Sequence, residues 1–374
     1  MQKILLRLSL FFICSLSLLN AQGKFSGYMF GDYYYNILRD NGTISNSTSA
    51  STAPGGTAMQ AFQLRRIYLT YDNDIFGQFT VRLRLEADQS ANASNGKIGT
   101  FVKDAYLRWK NIFAGSDLFF GIQPTPAFDA VEAVWAYRSL EKTILDLRGG
   151  VDTRDMGISL KGKITQNGML NYWIMLGNGA GTSKPENDKY KRYYAHVQIK
   201  PVENLQATLY FDYKDVPDIQ NIYTGKNVDN SALTTAVFLG YDKPSNYKVG
   251  VEAFIQSTPN AVKDTVAKTY STKTAFGFSI FGSYNILPDF TIIARYDNHN
   301  PSTDDKGKDP IAVTATVVNG NLSRNYFIAG LSWQVENNVS IIPNILYETY
   351  EAPAGQGEPD PSVTARVTVY YIFL

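Results

Sequence analysis

The segment Ala365-Arg366-Val367-Thr368-Val369-Tyr370-Tyr371-Ile372-Phe373-Leu374 sets the reading of the whole chain. In a strand, successive side chains point to opposite faces. Ala365, Val367, Val369, Tyr371 and Phe373 therefore share one face, and Arg366, Thr368 and Tyr370 share the other. A strand that is apolar on one side, polar on the other and aromatic toward its end suits a sheet whose outer surface meets lipid and whose inner surface meets water.

The same alternation recurs along most of the 374 residues. In the third predicted strand Phe79, Val81, Leu83, Leu85 and Ala87 alternate with Thr80, Arg82, Arg84, Glu86 and Asp88. An arginine facing lipid at the bilayer midplane costs roughly 2–4 kcal/mol, so Arg82 and Arg84 must look into an aqueous lumen. The ninth strand repeats the pattern, with Leu205, Ala207, Leu209, Phe211 and Tyr213 against Gln206, Thr208, Tyr210, Asp212 and Lys214. A half-buried soluble sheet alternates likewise. Roughly a dozen such strands, with tyrosines near their ends, favour the membrane barrel.

Sixteen strands are predicted, with cores at 24–37, 62–73, 78–88, 100–110, 117–124, 154–164, 169–178, 190–200, 205–214, 232–241, 247–257, 273–286, 290–298, 324–335, 339–350 and 363–374. Each is near the length of about 9–11 residues that a tilted strand needs to cross a bilayer. Short turns such as 73–77, 111–116 and 165–168 alternate with long polar connections at 38–61, 125–153, 215–231, 299–323 and 351–362. That alternation fits periplasmic turns and extracellular loops. Strands in lipid cannot leave an edge unpaired, so the sheet must close. A barrel of this size is too wide for side chains to fill. The alternation explains neither Pro343 inside the fifteenth strand nor the first strand, where both faces are aromatic or glycine.

Composition agrees. The mean hydropathy of −0.20 does not suit a helical membrane protein, and 25 tyrosines supply interfacial girdles. Residues 1–21 read as a signal peptide, with Lys3 and Arg7 before the apolar run Leu8 to Leu19, leaving 22–374 as a single barrel domain. Cys14 is the only cysteine, so the mature domain carries no disulfide. Without Lys3 and Arg7, 33 basic residues face 34 acidic ones, and net charge identifies no partner.

The connection 125–153, the third on the side of the long loops, is the exception among them. It holds Phe128, Val131, Val134, Trp135, Leu140, Ile144, Leu145 and Leu147. Such apolarity exposed outside a cell is a liability, whereas a loop folded into the lumen buries it against the wall. A helical turn is expected within 131–140. The charges on this loop make Arg138, Glu141, Lys142 and Arg148 the candidate pore constriction. The candidate lumen-facing cations opposite are Arg82, Arg84, Arg108, Lys161, Lys163 and Arg295. Inward-assigned basic residues outnumber acidic ones by fourteen to eight, which gives a weak anion preference.

Several strings resemble the phosphate-selective porin O and P family of Gram-negative bacteria. They are Phe62-Gln63-Leu64-Arg65-Arg66, Gly121-Ile122-Gln123-Pro124-Thr125-Pro126, Tyr137-Arg138-Ser139-Leu140-Glu141 and Arg154-Asp155-Met156-Gly157-Ile158-Ser159-Leu160-Lys161-Gly162, with Ala294-Arg295-Tyr296-Asp297 further on. The resemblance implies a sixteen-stranded outer-membrane barrel, a homotrimer, and a third loop folded into the pore. Phosphate selectivity does not follow, because the loop mixes Asp129, Glu132, Glu141 and Asp146 with its basic residues.

The expected protein is therefore all-β, a transmembrane antiparallel β-barrel of sixteen strands in the cell outer membrane. It passes small hydrophilic solutes, anions such as phosphate among them, by passive diffusion. Its partners are outer-membrane lipids, these solutes and further copies of itself, with no nucleic acid. No cofactor, metal ligand set or catalytic residue is expected. The rival is a plugged or gated barrel with an enzymatic or adhesive role, for which His299, beside Asp297, is the candidate base.

Overall fold

The computed structural model of the chain describes residues 23–39, 53–92, 97–181, 185–264, 267–303, 322–351 and 359–374. The predicted signal peptide lies outside the described residues. In chain order the elements are β1 (Lys24–Leu38), β2 (Gln60–Phe76), β3 (Phe79–Asn92), β4 (Ile98–Phe113) and β5 (Ser116–Pro124). Two helices follow, α1 (Asp129–Trp135) and α2 (Ile144–Arg148). Then come β6 (Arg154–Lys163), β7 (Leu170–Gly177), β8 (Arg192–Ile199), β9 (Leu205–Lys214), β10 (Ile219–Gln220), β11 (Asn227–Val228) and β12 (Ala232–Lys243). The chain ends with β13 (Tyr247–Asp264), β14 (Thr269–Leu287), β15 (Phe290–Asn300), β16 (Arg324–Glu336), β17 (Val339–Tyr350) and β18 (Ser362–Ile372).

Sixteen strands pair with their sequence neighbours, antiparallel throughout, and β1 pairs with β18 to close the barrel. The predicted fold class and strand number are those observed. Two details differ. The connection 215–231 holds a small separate hairpin, β10–β11, and β13 and β14 extend their ladder to Asp264↔Thr269, through residues read as loop.

Closure is built on the segment that opened the reading. Tyr33 lies opposite Val367 and Tyr35 opposite Ala365. The Phe373 amide donates to the Gly27 carbonyl at 3.0 Å. A side chain on Gly27 would stand 2.5 Å from the Phe373 ring, and one on Gly31 would stand 2.6 Å from the Gln63 carbonyl. These close approaches account for the glycines of the first strand. Its aromatics meet rings on β2, Phe25 with Tyr71 on the outer face and Tyr28 with Tyr68 on the inner face.

The two faces are inverted relative to a soluble protein. Leu83, Phe120, Ile158, Leu209, Val237 and Ile292 are exposed outward, whereas Glu86, Asp104, Asp155, Arg192 and Asp212 are buried inward. Water does not stabilise that arrangement, and lipid around a polar lumen does. Among the described residues no helix is long and apolar enough to cross a membrane. Pro343 points outward on β17. Pairing with β18 continues through Pro343↔Val367. Pairing with β16 is interrupted between Gly330↔Asn344 and Trp333↔Ile341, as expected where a proline supplies no N–H.

Residues 125–153 fold into the lumen. Ala130, Val131, Val134 and Trp135 of α1, with Leu140, pack on Phe238, Phe281, Ile293, Tyr326, Ile328 and Leu346 of the wall. Phe128, Ile144, Leu145 and Val151 pack on Met175, Tyr194, Tyr210 and Phe254. The apolar inward residues of the strands and the apolar residues of the loop thus bury one another.

Candidate functional site

The loop is positioned by its ends, its helices and a set of arginines. At its base the Thr125 amide donates to the Thr153 carbonyl at 3.1 Å, and the Thr125 hydroxyl donates to Asp152 O at 2.7 Å. In α1 the pattern Ala130-Val131-x-x-Val134-Trp135 puts the apolar residues on one face. The helix stops at Ala136, which adopts a left-handed conformation with φ 58° and donates its N–H to Glu132 O. Gln256 of β13 donates to Gly149 O at 2.7 Å beyond α2.

Between the helices, three wall arginines hold carbonyls of the loop. Arg65 donates to Ser139 O at 2.7 Å and Leu140 O at 3.0 Å. Arg366 donates to Leu140 O at 2.7 Å, and Arg295 donates to Lys142 O. Strict alternation would put only one of the adjacent Arg65 and Arg66 in the lumen. A bulge at this point of β2, where Phe30 pairs with Arg66 and Gly31 with Leu64, turns both arginines inward.

The four loop residues singled out from the sequence have different surroundings. Arg138 bridges Glu132 and Asp146. Lys142 lies 3.7 Å from Asp146 with its side chain 35% exposed. Glu141 is buried and accepts a hydrogen bond from the Tyr326 hydroxyl at 3.1 Å. Arg148 is buried in an ion pair with Glu348 at 2.6 Å. Glu141 and Arg148 therefore fasten the loop to β16 and β17, and the water-accessible charge of the loop lies on Asp129, Glu132, Arg138, Lys142 and Asp152.

Of the six wall cations, Arg82 and Arg108 face the lumen in pairs with Asp72 and Asp117, and Arg84 donates to the Thr70 hydroxyl at 2.8 Å. Lys161 reaches across to Asp129 of α1 at 2.9 Å and stands over the Trp173 ring, 3.8 Å from its centroid. Lys163 ends β6 and is exposed. Arg295 is buried, paired with Asp297 and stacked over Trp135. Two further inward cations were not anticipated. Lys103 occupies a second bulge and pairs with Glu86 at 2.9 Å, and Arg154 pairs with Asp104. The charged face of the loop stands within electrostatic reach of this wall, Glu132 of Arg154 and Asp146 of Arg66.

His299 is buried, and among the described residues neither ring nitrogen finds a partner. Asp297 is held by Arg295 instead, so the pairing a general base needs is not formed.

No family model matches the chain, and no curated protein matches it in sequence. Solved structures do match. The outer membrane channel DcaP of Acinetobacter baumannii gives a TM-score of 0.68 at 14% identity, with 94% of this chain and 97% of that one covered. OprB of Pseudomonas putida gives 0.66 at 12% identity, with 96% of each chain covered. An anion-selective porin from Comamonas acidovorans gives 0.62 at 10% identity, covering 95% of this chain and 100% of that one. At these identities the likeness is one of fold, that of the outer-membrane porin barrels.

Proposed function

We propose that this chain is an outer-membrane porin that passes small hydrophilic solutes by passive diffusion, with a weak preference for anions. The observation that carries the reading is the loop 125–153. It buries its apolar side on one part of the wall and leaves a charged side toward β2–β6. A wide barrel so narrowed keeps a polar path between two charged surfaces, the arrangement by which channels select among ions. Arg138 and Lys142 on the loop and Arg66, Arg82, Arg84, Arg108, Arg154 and Lys161 on the wall would line that path.

The preference is weak because the cations are matched. Arg82, Arg108 and Lys161 each have a carboxylate within 3 Å. The phosphate-selective porin O and P relationship, and with it a homotrimer, rests on the short strings of sequence alone. Phosphate specificity is not part of the proposal.

The test is single-channel recording of the refolded full chain in a planar bilayer, with reversal potential under a salt gradient. Stepwise conductance reversing toward anions is expected. Reversal toward cations would remove the anion preference. A folded, heat-modifiable barrel without conductance would remove diffusion altogether.

A further inference from the structure

At the end of the barrel where β1 begins and β18 ends, a cavity of about 470 Å³ lies between β1, β2, β3 and β4. Its wall carries the cations Lys24, Arg82, Arg108 and Lys110 and the carboxylates Asp72 and Asp74. Three of the cations are matched. Arg82 grips Asp72 with two bonds, of 2.7 and 2.9 Å. Arg108 donates to Asp117 at 2.9 Å, and Lys110 to Asp74 at 2.8 Å. Lys24 stands opposite Asp72 in the β1–β2 register, and Asp72 and Asp74 are in ion pairs with Arg82 and Lys110. Among the described residues no carboxylate forms an ion pair with Lys24. Four cations against Asp72, Asp74 and Asp117 leave the cluster with one net positive charge.

That imbalance defines a ligand. A monoanion completes the set, whereas a second negative charge finds no cation unless a formed ion pair breaks. The volume is in the range of small-molecule sites, about 300–1,000 Å³. The Tyr106 ring lines the cavity, with the Arg82 guanidinium over it at 5.9 Å from its centroid and Phe119 edge-on at 5.6 Å, so an organic body has an aromatic edge to pack against beside the cations. We propose that this cavity is a binding site for a small organic monocarboxylate, entered from the end of the barrel where β1 begins and β18 ends and centred on Lys24. Occupancy does not depend on passage through the channel, so the site can be tested whether or not the barrel conducts.

The experiment is calorimetric titration of benzoate into the detergent-folded full chain at low ionic strength. Benzamide serves as the uncharged isostere and inorganic phosphate as the competing anion. Saturable benzoate binding is expected, with benzamide and phosphate each at least about ten-fold weaker, one charge contact being of that order. Lys24→Gln should weaken benzoate about ten-fold. Lys243→Gln, the same charge change at a turn on the same end but outside the cavity, should leave it unchanged. Tyr106→Leu should weaken benzoate with every charge intact. Equal binding of benzoate and benzamide, no effect of Lys24→Gln, or an equal loss in Lys243→Gln would each overturn the site. Phosphate binding as tightly as benzoate would overturn the ligand class.

Discussion

Arg138 is shared by two carboxylates that answer acid differently. Burial works against the ionised form of Asp146, yet Arg138 and Lys142 together hold it down at about 2. Burial also acts on Glu132, and there it prevails over Arg138, aided by the neighbouring charge of Asp146, so this carboxyl is pushed up. The signs follow. Asp146 has a folded value below that of an ordinary aspartate, about 3.9. Its pair with Arg138 is fully stabilising above that value and is lost only as pH falls through about 2. Glu132 has a folded value above that of an ordinary glutamate, about 4.3, so it takes up its proton first. As pH falls toward the ordinary glutamate range the loop should therefore shed negative charge at Glu132 while keeping its Asp146 tether. Reversal potentials measured as pH falls should move toward anions. Glu132→Gln should show the acid-shifted selectivity already at pH 7 and respond little to further acid. The same raised value means that ionised Glu132 weighs against the folded state at pH 7, so the substitution should be neutral to slightly stabilising. A Glu132→Gln channel with the full wild-type pH response would refute the assignment.

Among the elements, the loop is the one whose docking can fail while the sheet survives. Trp135 is its main fastening. It is almost fully buried, packs edge-on against Phe281 at 5.3 Å, lies under the Arg295 guanidinium, and donates through Nε1 to Glu141 O at 2.7 Å. Trp135→Ala should cost about 3–5 kcal/mol, charged to the docking of the loop because no strand pairing involves this residue. Recordings should show larger and noisier unitary currents, while the compact unheated band on electrophoresis persists. Loss of that band would mean that the loop helps to hold the barrel itself. The existence of this docked loop was legible from its apolarity, because Phe128, Trp135, Leu140 and Leu145 have no other use in a surface connection. The roles of its charges were not. Arg148 and Glu141 look the same in sequence as Lys142, and only the positions of Glu348 and Tyr326 on distant strands decide that they are buried. The strands were legible because most of them carry the two-residue period. That period failed at Arg65-Arg66 and Lys103-Asp104, where one extra residue slips the register. The signal was present in both cases as two adjacent charged residues between outward apolar ones, Leu64 and Ile67, Val102 and Ala105. A strict alternation has no place for it.

At the scale of the whole molecule, the order of residues across the two faces, rather than their composition, specifies the barrel. The closing strand allows a direct test, because Arg366 and Val367 are adjacent and face opposite solvents. Arg366 is buried, lies 3.7 Å from the equally buried Asp32, and donates to Asn344 and to Leu140 of the loop. Its removal leaves the buried Asp32 with Arg65 alone, at 3.4 Å, and takes the donor from Asn344, which should cost about 1–3 kcal/mol. Val367 is outward, between Tyr33 and Pro343, and an arginine there meets lipid at about 2–4 kcal/mol. The double substitution Arg366→Val and Val367→Arg keeps the composition of the chain and inverts one step of its pattern. The two costs together reach the lower end of the whole stability of a typical domain, about 5–15 kcal/mol. The swapped chain should therefore fail to give a compact, heat-modifiable form in vesicles. Val367→Leu, which leaves both faces as they are, should fold normally. Urea unfolding of the vesicle-inserted protein should place each single change between these limits. A swapped chain that inserts and unfolds like the wild type would mean that the two faces of the closing strand do not decide which side meets the membrane.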